Sequence, residues 1–348
     1  MDGLGRAAGE VMTEEMRSFP TDYLSRNKTS KQVADWRVGS FAFKSPSFSN
    51  TPFVSTAKHY TIESTLLHVG IQNLYFYPFS TKTETTLRSQ LSVGRGGSTS
   101  SSNGIYALVA GGAGVVADKF TWQTQSCSTW PSANLTLSGS GAQQNASNVD
   151  ISLITGLYAA SGLNNADKCP WTSFVTSAQT SAKLTTLRGG GTSASDATYM
   201  VYFGGTNSIA YYGNPVGQCY AEADKVDWST LTASAQVSAN LSSQRYIAMA
   251  VSDVTNVFVA GGGFYPSGMT NNTEKMPWST LTSALHAPAY LTQAPGASYW
   301  GTTGSNSIEA CFGFGSWANV LTFSASTMAA TTKLFGGGNT SGTQNGVG

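Results

Sequence analysis

A chain of 348 residues has room for one large repeat domain or two ordinary ones, and its 40% hydrophobic residues can supply a core. Only 11% of residues are charged and the formal net charge is +1, so neither nucleic acid nor an anionic membrane has an electrostatic reason to bind. Glycine at 38 positions, with abundant Ser, Thr and Asn, favours strands joined by turns over helices. No apolar run reaches the roughly eighteen residues that a membrane span needs. Met1 to Glu10 has neither the basic region nor the apolar stretch of a secretory signal, so no signal peptide is expected.

Residues 1–44 gather much of the charge, with Arg6, Arg17, Arg26, Lys28 and Arg37 set against Glu10, Glu14, Glu15 and Asp22. Ala7 to Phe19 brings Val11, Met12 and Met16 to helical spacing ahead of Pro20, a short helix that is marginal alone. A charged, weakly apolar arm of this kind reads as a segment that orders by docking on a partner, or else as a disordered tail. Residues 45–63, with Pro46, Pro52 and many Ser and Thr, read as an irregular link. The expected division is therefore an arm and linker over 1–63 and a repeat domain over 64–348.

The repeat is a stretch that returns four times: acidic residue, Lys, apolar residue, any residue, Trp. It runs from Asp118 to Trp122, Asp167 to Trp171, Asp224 to Trp228 and Glu274 to Trp278. Leu135, Leu184, Leu241 and Leu291 each follow their Trp by thirteen residues, and Arg188 and Arg245 follow theirs by seventeen. Gly204 and Gly261, each opening a Gly-Gly pair after an apolar run, follow theirs by thirty-three. Phe79 and Phe323 take the Trp position in weaker copies at either end. The six anchors are 43, 49, 57, 50 and 45 residues apart, a unit of about four short strands.

Within a unit the period is two, since Val226 and Trp228 alternate with Lys225 and Asp227, as expected of half-buried strands. Pro170 and Pro277, one residue before Trp, place that strand at a blade edge or at an irregularity. Arg245 to Val251 and Asn256 to Ala260 form an apolar inner hairpin. The last unit lacks a strand ending in Gly-Gly, and Thr65 to Gly70 supplies such a strand with nothing before it. The expectation is that this early strand completes the last blade and closes a ring. Six blades result, or seven if residues 32–60 hold a degenerate one.

An apolar strand ending in Gly-Gly, then a loop, then a strand with a fixed Trp, about fifty residues per unit, resembles kelch-type propellers. The fuller pattern, from Asp-Lys-apolar-x-Trp-Ser-Thr through Ser-Ala-x-Leu and Arg, is similar to kelch-like repeats in structural and tail-fibre proteins of tailed bacteriophages, including phages of cyanobacteria. The resemblance spans roughly residues 64–338. It implies an all-β, kelch-like β-propeller in a non-enzymatic virion protein, made in the host cytoplasm. The first role it implies is a tail fibre or tail appendage carried in many copies, which joins other virion proteins through residues 1–44 and binds a host-surface glycan or protein. Alternatives are a capsid decoration protein, a glycan-cleaving propeller enzyme and a cellular kelch scaffold.

No residue pattern points to catalysis, a cofactor or a metal. His59, His68 and His286 have no metal spacing, and Cys127, Cys169, Cys219 and Cys311 form no CxxC. Asp118, Asp167, Asp224 and Glu274 recur once per unit beside Lys, which suits a repeated structural contact better than a unique acid–base pair. Binding fits the variable connections, about 206–223, 264–273 and 301–317. The candidate ligand contacts are their aromatics Tyr211, Tyr212, Tyr220, Phe264, Tyr265 and Trp317, with Trp300 just before one connection. The competing reading packs these rings on the propeller rim.

Overall fold

The computed structural model describes residues 65–347 except 70–71, 80, 82–84, 95–97, 113, 137–143, 160–161, 208–217, 265–267, 295–301, 307, 315–316 and 332–344. The arm and link expected over 1–63 lie outside the described residues. The rest is a propeller-like arrangement of small antiparallel sheets. Helical structure among the described residues is confined to four short 3-10 turns, Pro131–Ala133, Thr180–Ala182, Val237–Ala239 and Ala287–Ala289. Each begins nine residues after its Trp.

The chain opens with β1 (Thr65–Val69), β2 (Asn73–Pro78) and β3 (Thr85–Gln90). Five blades follow as meanders. The second sheet is β4 (Ser98–Ser102), β5 (Tyr106–Gly111), β6 (Ala117–Thr121) and β7 (Ser126–Thr129). The third is β8 (Gln144–Ser147), β9 (Ile151–Ala159), β10 (Gly162–Pro170) and β11 (Ser177–Ala178). The fourth is β12 (Thr192–Ser195), β13 (Tyr199–Phe203), β14 (Ala223–Asp227) and β15 (Ala233–Ala235). The fifth starts with β16 (Met249–Ser252) and β17 (Asn256–Ala260), spawns a hairpin of β18 (Gly263–Phe264) and β19 (Gly268–Met269), and resumes with β20 (Thr273–Pro277) and β21 (Ala284–Leu285). The sixth is β22 (Thr302–Ser305), β23 (Glu309–Phe314), β24 (Trp317–Thr322) and β25 (Thr327–Thr331), after which β26 (Asn345–Val347) joins the first sheet in the order β26-β1-β2-β3.

Two expectations are corrected by this order. The early strand does not complete the sheet around Phe323: β1 pairs with β2 on one side and, through Leu67–Val69, with β26 on the other. The sixth sheet has four strands of its own because the repeat is phased differently, with the Trp strand third of four and a polar first strand, Thr302–Ser305, already in place. Nor do Pro170 and Pro277 mark an edge, since β10 and β20 are interior. At the equivalent position in the fourth sheet the Asp227 N–H makes only a long 3.4 Å bond to the Thr232 carbonyl. A proline there removes little, because the ladder to the outer strand has already ended. The apolar hairpin read from the sequence forms as β16 paired with β17.

Alternation along the Trp strands is visible in burial. In β14, Val226 is buried while Lys225 and Asp227 are partly exposed, and Ala223 and Asp224 are buried at its start. Apolar side chains meet between sheets, so each core is a joint. Leu67, Phe76, Val109 and Trp122 join sheets one and two. Leu108, Ile154, Trp171 and Phe174 join two and three, and Leu153, Met200, Tyr202 and Trp228 join three and four. Val201, Val259 and Trp278 join four and five, and Met249, Phe258, Phe312 and Phe323 join five and six. Burial of such surface, at about 25 cal/mol per Å², holds neighbouring blades together.

Candidate recognition face

The repeated acid is fully buried in all four strong copies, and it reaches backward across a blade joint. Asp118 accepts the Ser92 N–H at 3.1 Å, and Asp167 accepts the N–H and hydroxyl of Thr136. Asp224 accepts both from Thr185, at 3.0 and 2.6 Å, and Glu274 accepts both from Ser242. Each donor follows the Leu that ends the preceding blade. The sixth sheet puts Asn319 at the same place, where its Oδ1 accepts the Thr292 N–H at 3.0 Å. The Ser or Thr after Leu and the Asn in place of acid went unread in the sequence, although the fixed offset from the anchor would have found both.

Two joints are reinforced by buried arginines. Arg188 lies 2.8 Å from the Asp224 carboxylate and donates to the carbonyls of Gly204 and Glu222. Arg245 pairs with Glu274 and donates to the carbonyls of Gly261 and Asn272. Burial pulls the Arg245 guanidinium below its ordinary range and the Glu274 charge opposes this. Among the described residues Asp167 has no such cation, and the sequence has Gly139 at the position that Arg takes in the next two joints. Burial pushes its carboxyl up, opposed by the two Thr136 hydrogen bonds.

Three of the four motif Lys and all four Trp are equally committed. Lys119 stands 4.3 Å from the Tyr106 ring, 3.9 Å from Trp130 and 4.7 Å from Phe174 of the next sheet. Lys225 lies over Tyr199, and Lys275 lies over Phe258 and donates to the Ser326 hydroxyl. The Trp indole N–H closes the hairpin between the first two strands: Trp122 donates to the Ser102 hydroxyl, and Trp171, Trp228 and Trp278 donate to the carbonyls of Asn148, Asp196 and Asp253. Those hairpins carry a second repeat, Ser-Asn or Ser-Asp. The Ser147 hydroxyl donates to the Ser102 carbonyl at 3.1 Å, Ser195 to Ser147 at 3.2 Å, Ser252 to Ser195 at 3.3 Å and Ser305 to Ser252 at 3.5 Å. A ladder of serines thus links one first strand to the next.

What does not repeat lies at one end of the sheets. In an antiparallel meander the connections from second to third strand, and from each blade to the next, leave from the same end. Sheets four and five are built up there. Thr206 bridges Gly189 and Cys219, Tyr246 bridges Gly263, and β18 and β19 add a hairpin. Cys219, Tyr246 and Ile247 form a small buried cluster under these connections. Ile247 holds φ 56° where the preceding blade has Gly190 at 68°, a left-handed conformation that a β-branched residue adopts only under constraint. Its N–H donates to the Gly190 carbonyl at 2.7 Å. Close approach explains Gly-Gly: a Cβ on Gly204, at φ +63°, would sit 2.5 Å from the Arg245 carbonyl oxygen.

Of the seven candidate aromatics, Tyr220, Phe264 and Trp317 are among the described residues, and all three lie at this end. Tyr220 is half-buried in a strap whose N–H donates to the Gly205 carbonyl and whose carbonyl accepts the Arg245 N–H. Phe264 ends β18, facing Gly268 across the hairpin, and Trp317 opens β24 opposite Phe314. Tyr211, Tyr212, Tyr265 and Trp300 lie outside the described residues. Sheets four and five therefore bring Tyr220 and Phe264 to neighbouring blades, and Trp317 lies on the sixth sheet. Among the described residues no group of three or more His, Cys, Asp or Glu could hold a metal ion, and no helix is long and apolar enough to cross a membrane. No protein-family model matches the chain, and a search of curated proteins finds no relative.

Proposed function

We propose that the chain is a non-enzymatic module of a tailed-bacteriophage particle, a tail fibre or tail appendage. In this reading it displays a kelch-like, six-bladed ring to a host-surface glycan or protein and is anchored through residues 1–44. Ring closure is supported by β26, which pairs with β1 and neighbours both β22 and β4. It is supported again by Tyr77 of the first blade. Its hydroxyl is pushed far up by burial, and the nearby Cys311 and Glu309 of the sixth sheet add to the shift. The closing strand in this reading is C-terminal.

One observation carries the choice of a binding role: each recurring acid, Arg, Lys and Trp described above is spent on a contact within or between blades. The variable residues are left for recognition, and the described ones, Tyr220, Phe264 and Trp317, lie at or beside connections at one end of the sheets, where binding residues concentrate. The phage assignment rests on the resemblance of the repeat. Many copies on one particle would turn weak contacts into avidity.

The test is mass spectrometry of purified particles, with the chain expected among tail components. Deleting residues 1–44 should leave a propeller with an unchanged melting curve that no longer joins particles. Absence of the intact chain from particles would overturn the virion reading, and normal incorporation of the truncated one would overturn the anchoring.

A further inference from the structure

The end of the sheets opposite the unequal connections is uniform. Five hairpins join first to second strands there, each led by Asn or Asp whose Oδ1 accepts N–H groups two and three residues ahead. Asn103 takes Ile105 and Tyr106, Asn148 takes Asp150 and Ile151, Asp196 takes Thr198 and Tyr199, Asp253 takes Thr255 and Asn256, and Asn306 takes Ile308 and Glu309. With the turn held this way, the tip side chains have no inward role. Four of them are branched and apolar: Ile105, Val149, Val254 and Ile308 are 38, 43, 60 and 66% exposed. The fifth hairpin carries Ala197, also exposed.

These tips are neighbours. Each lies two or three residues beyond a serine of the hydrogen-bonded ladder, so Ser102, Ser147, Ser195, Ser252 and Ser305 fix their hairpins side by side. The five hairpins hold no Lys or Arg and four acids, Asp150, Asp196, Asp253 and Glu309, so the patch repels phosphate, whether of a lipid headgroup or of nucleic acid. The first sheet contributes no such hairpin. In its place the chain enters the fold: β1 starts at Thr65, opposite Pro78, at this same end, and its partner β26 lies between β22 and β4. The sixth position is therefore where residue 64 joins, flanked by the hairpins of Ile308 and Ile105.

We infer that this face seats on the protein to which the N-terminal arm attaches, at an apolar protein surface whose rim is free of acidic groups and can meet the hairpin acids, so the unequal connections of sheets four and five point away from it. The inference rests on the virion reading above and adds the orientation. A partner that grips the preceding chain is tethered beside the patch at an effective concentration of order mM for a short flexible linker, so a contact too weak to act alone becomes occupied. Exposed apolar side chains ringed by polar turns are suited to such a contact.

The experiment uses the full chain with Val254→Glu and Ile308→Glu together, added to particles prepared without this protein and recovered by gradient sedimentation. Bound protein should fall more than about tenfold, with the melting curve unchanged, because a charge is pressed against an apolar surface. Val237→Glu is the control, 75% exposed at the opposite end, and should bind as the unmodified chain does. Undiminished binding of the double variant, or equal loss in the control, overturns the orientation while leaving the virion reading intact. Failure of the unmodified chain to join particles removes both. Concentration-dependent pairing of the pure chain in sedimentation velocity, abolished by the same two glutamates, would give the face to a second copy instead.

Discussion

Asp224→Asn and Asp167→Asn are the same chemical change at equivalent positions of neighbouring blades, yet they should have very unequal consequences. Asp224 is fully buried, 2.8 Å from Arg188, which is itself fully buried. An amide at 224 can still accept the Thr185 N–H, but its NH2 group then opposes another donor and the guanidinium keeps its charge. Glu222, 3.9 Å away and half exposed, is too distant and too well solvated to substitute. Breaking one side of a buried ion pair costs about 3–5 kcal/mol, equivalent to a melting shift on the order of 5–10 °C for a chain of this size. Among the described residues Asp167 has no cation to orphan. Burial has already pushed its carboxyl up, and Asn319 accepts the equivalent N–H in the sixth sheet. Asp167→Asn should therefore change stability by less than about 1 kcal/mol at neutral pH. Urea unfolding followed by tryptophan fluorescence measures both. The double variant Arg188→Met with Asp224→Asn should recover most of the loss, since the cost is the stranded charge. Equal penalties at 167 and 224, or a double variant no better than the single one, would refute the reasoning.

Asp167 also sets a pH dependence. Its folded value lies above the ordinary 3.8, so the folded state holds the proton more tightly and its contribution falls as pH rises from about 3.8 through the folded value. The stability of Asp167→Asn relative to the unmodified chain should rise over that interval and then level off in denaturant titrations at stepped pH. Ser195→Ala removes a hydroxyl donor to the Ser147 carbonyl and should cost about 1 kcal/mol, read as a lowered urea midpoint. Gly204→Ala drives a methyl to 2.5 Å from the Arg245 carbonyl oxygen at positive φ. It should cost more than about 3 kcal/mol, whereas Gly268→Ala, with nothing within 4 Å, should cost only the strain of its φ, about 1–2 kcal/mol.

The sequence yielded the joints before it yielded the blades. Asp, Lys and Trp of the motif act through one rigid piece of strand, so their spacing is invariant, and alternation within that strand was equally legible. The first strands escaped because the second-to-third connection varies in length. From the hairpin serine to the anchor the distance is eighteen residues between Ser305 and Phe323 but thirty-three between Ser195 and Trp228. A fixed-offset search cannot see such a repeat, and the phase error that followed sent the early strand to the wrong sheet. Asn345–Val347 escaped for another reason: three residues carry no hydrophobic period, and only the unpaired edge of β1 calls for them. Among the described candidate aromatics, Tyr220 was legible as a loop residue and no further, whereas Phe264 and Trp317 fall in the strands β18 and β24. An aromatic ring in a connection packs or presents itself according to its surroundings, and the half-buried strap at Tyr220 has a backbone role that sequence could not disclose.

The braces are distributed unevenly, and that unevenness bears on recognition. Arg occurs at the fourth position after the joint Leu at Arg95, Arg188 and Arg245, while Gly139 and Pro295 stand there in the other two joints. Arg95 lies outside the described residues. The two described clamps sit on both sides of sheet four, directly under the built-up connections. The same place holds Ile247 in a left-handed conformation and the glycine contact that forbids a Cβ. A guanidinium taken out of water and a strained β-branched residue each cost free energy, and only a surrounding structure that over-determines them makes them persist. The joint between sheets two and three is packed by the same kind of apolar core with an acid and a threonine and no described arginine, so a joint of this fold does not require the additions. Their convergence beneath Tyr220 and Phe264 is what a platform would need if its loops must keep one conformation while a ligand binds, since rigidity before binding lowers the ordering cost of the contact.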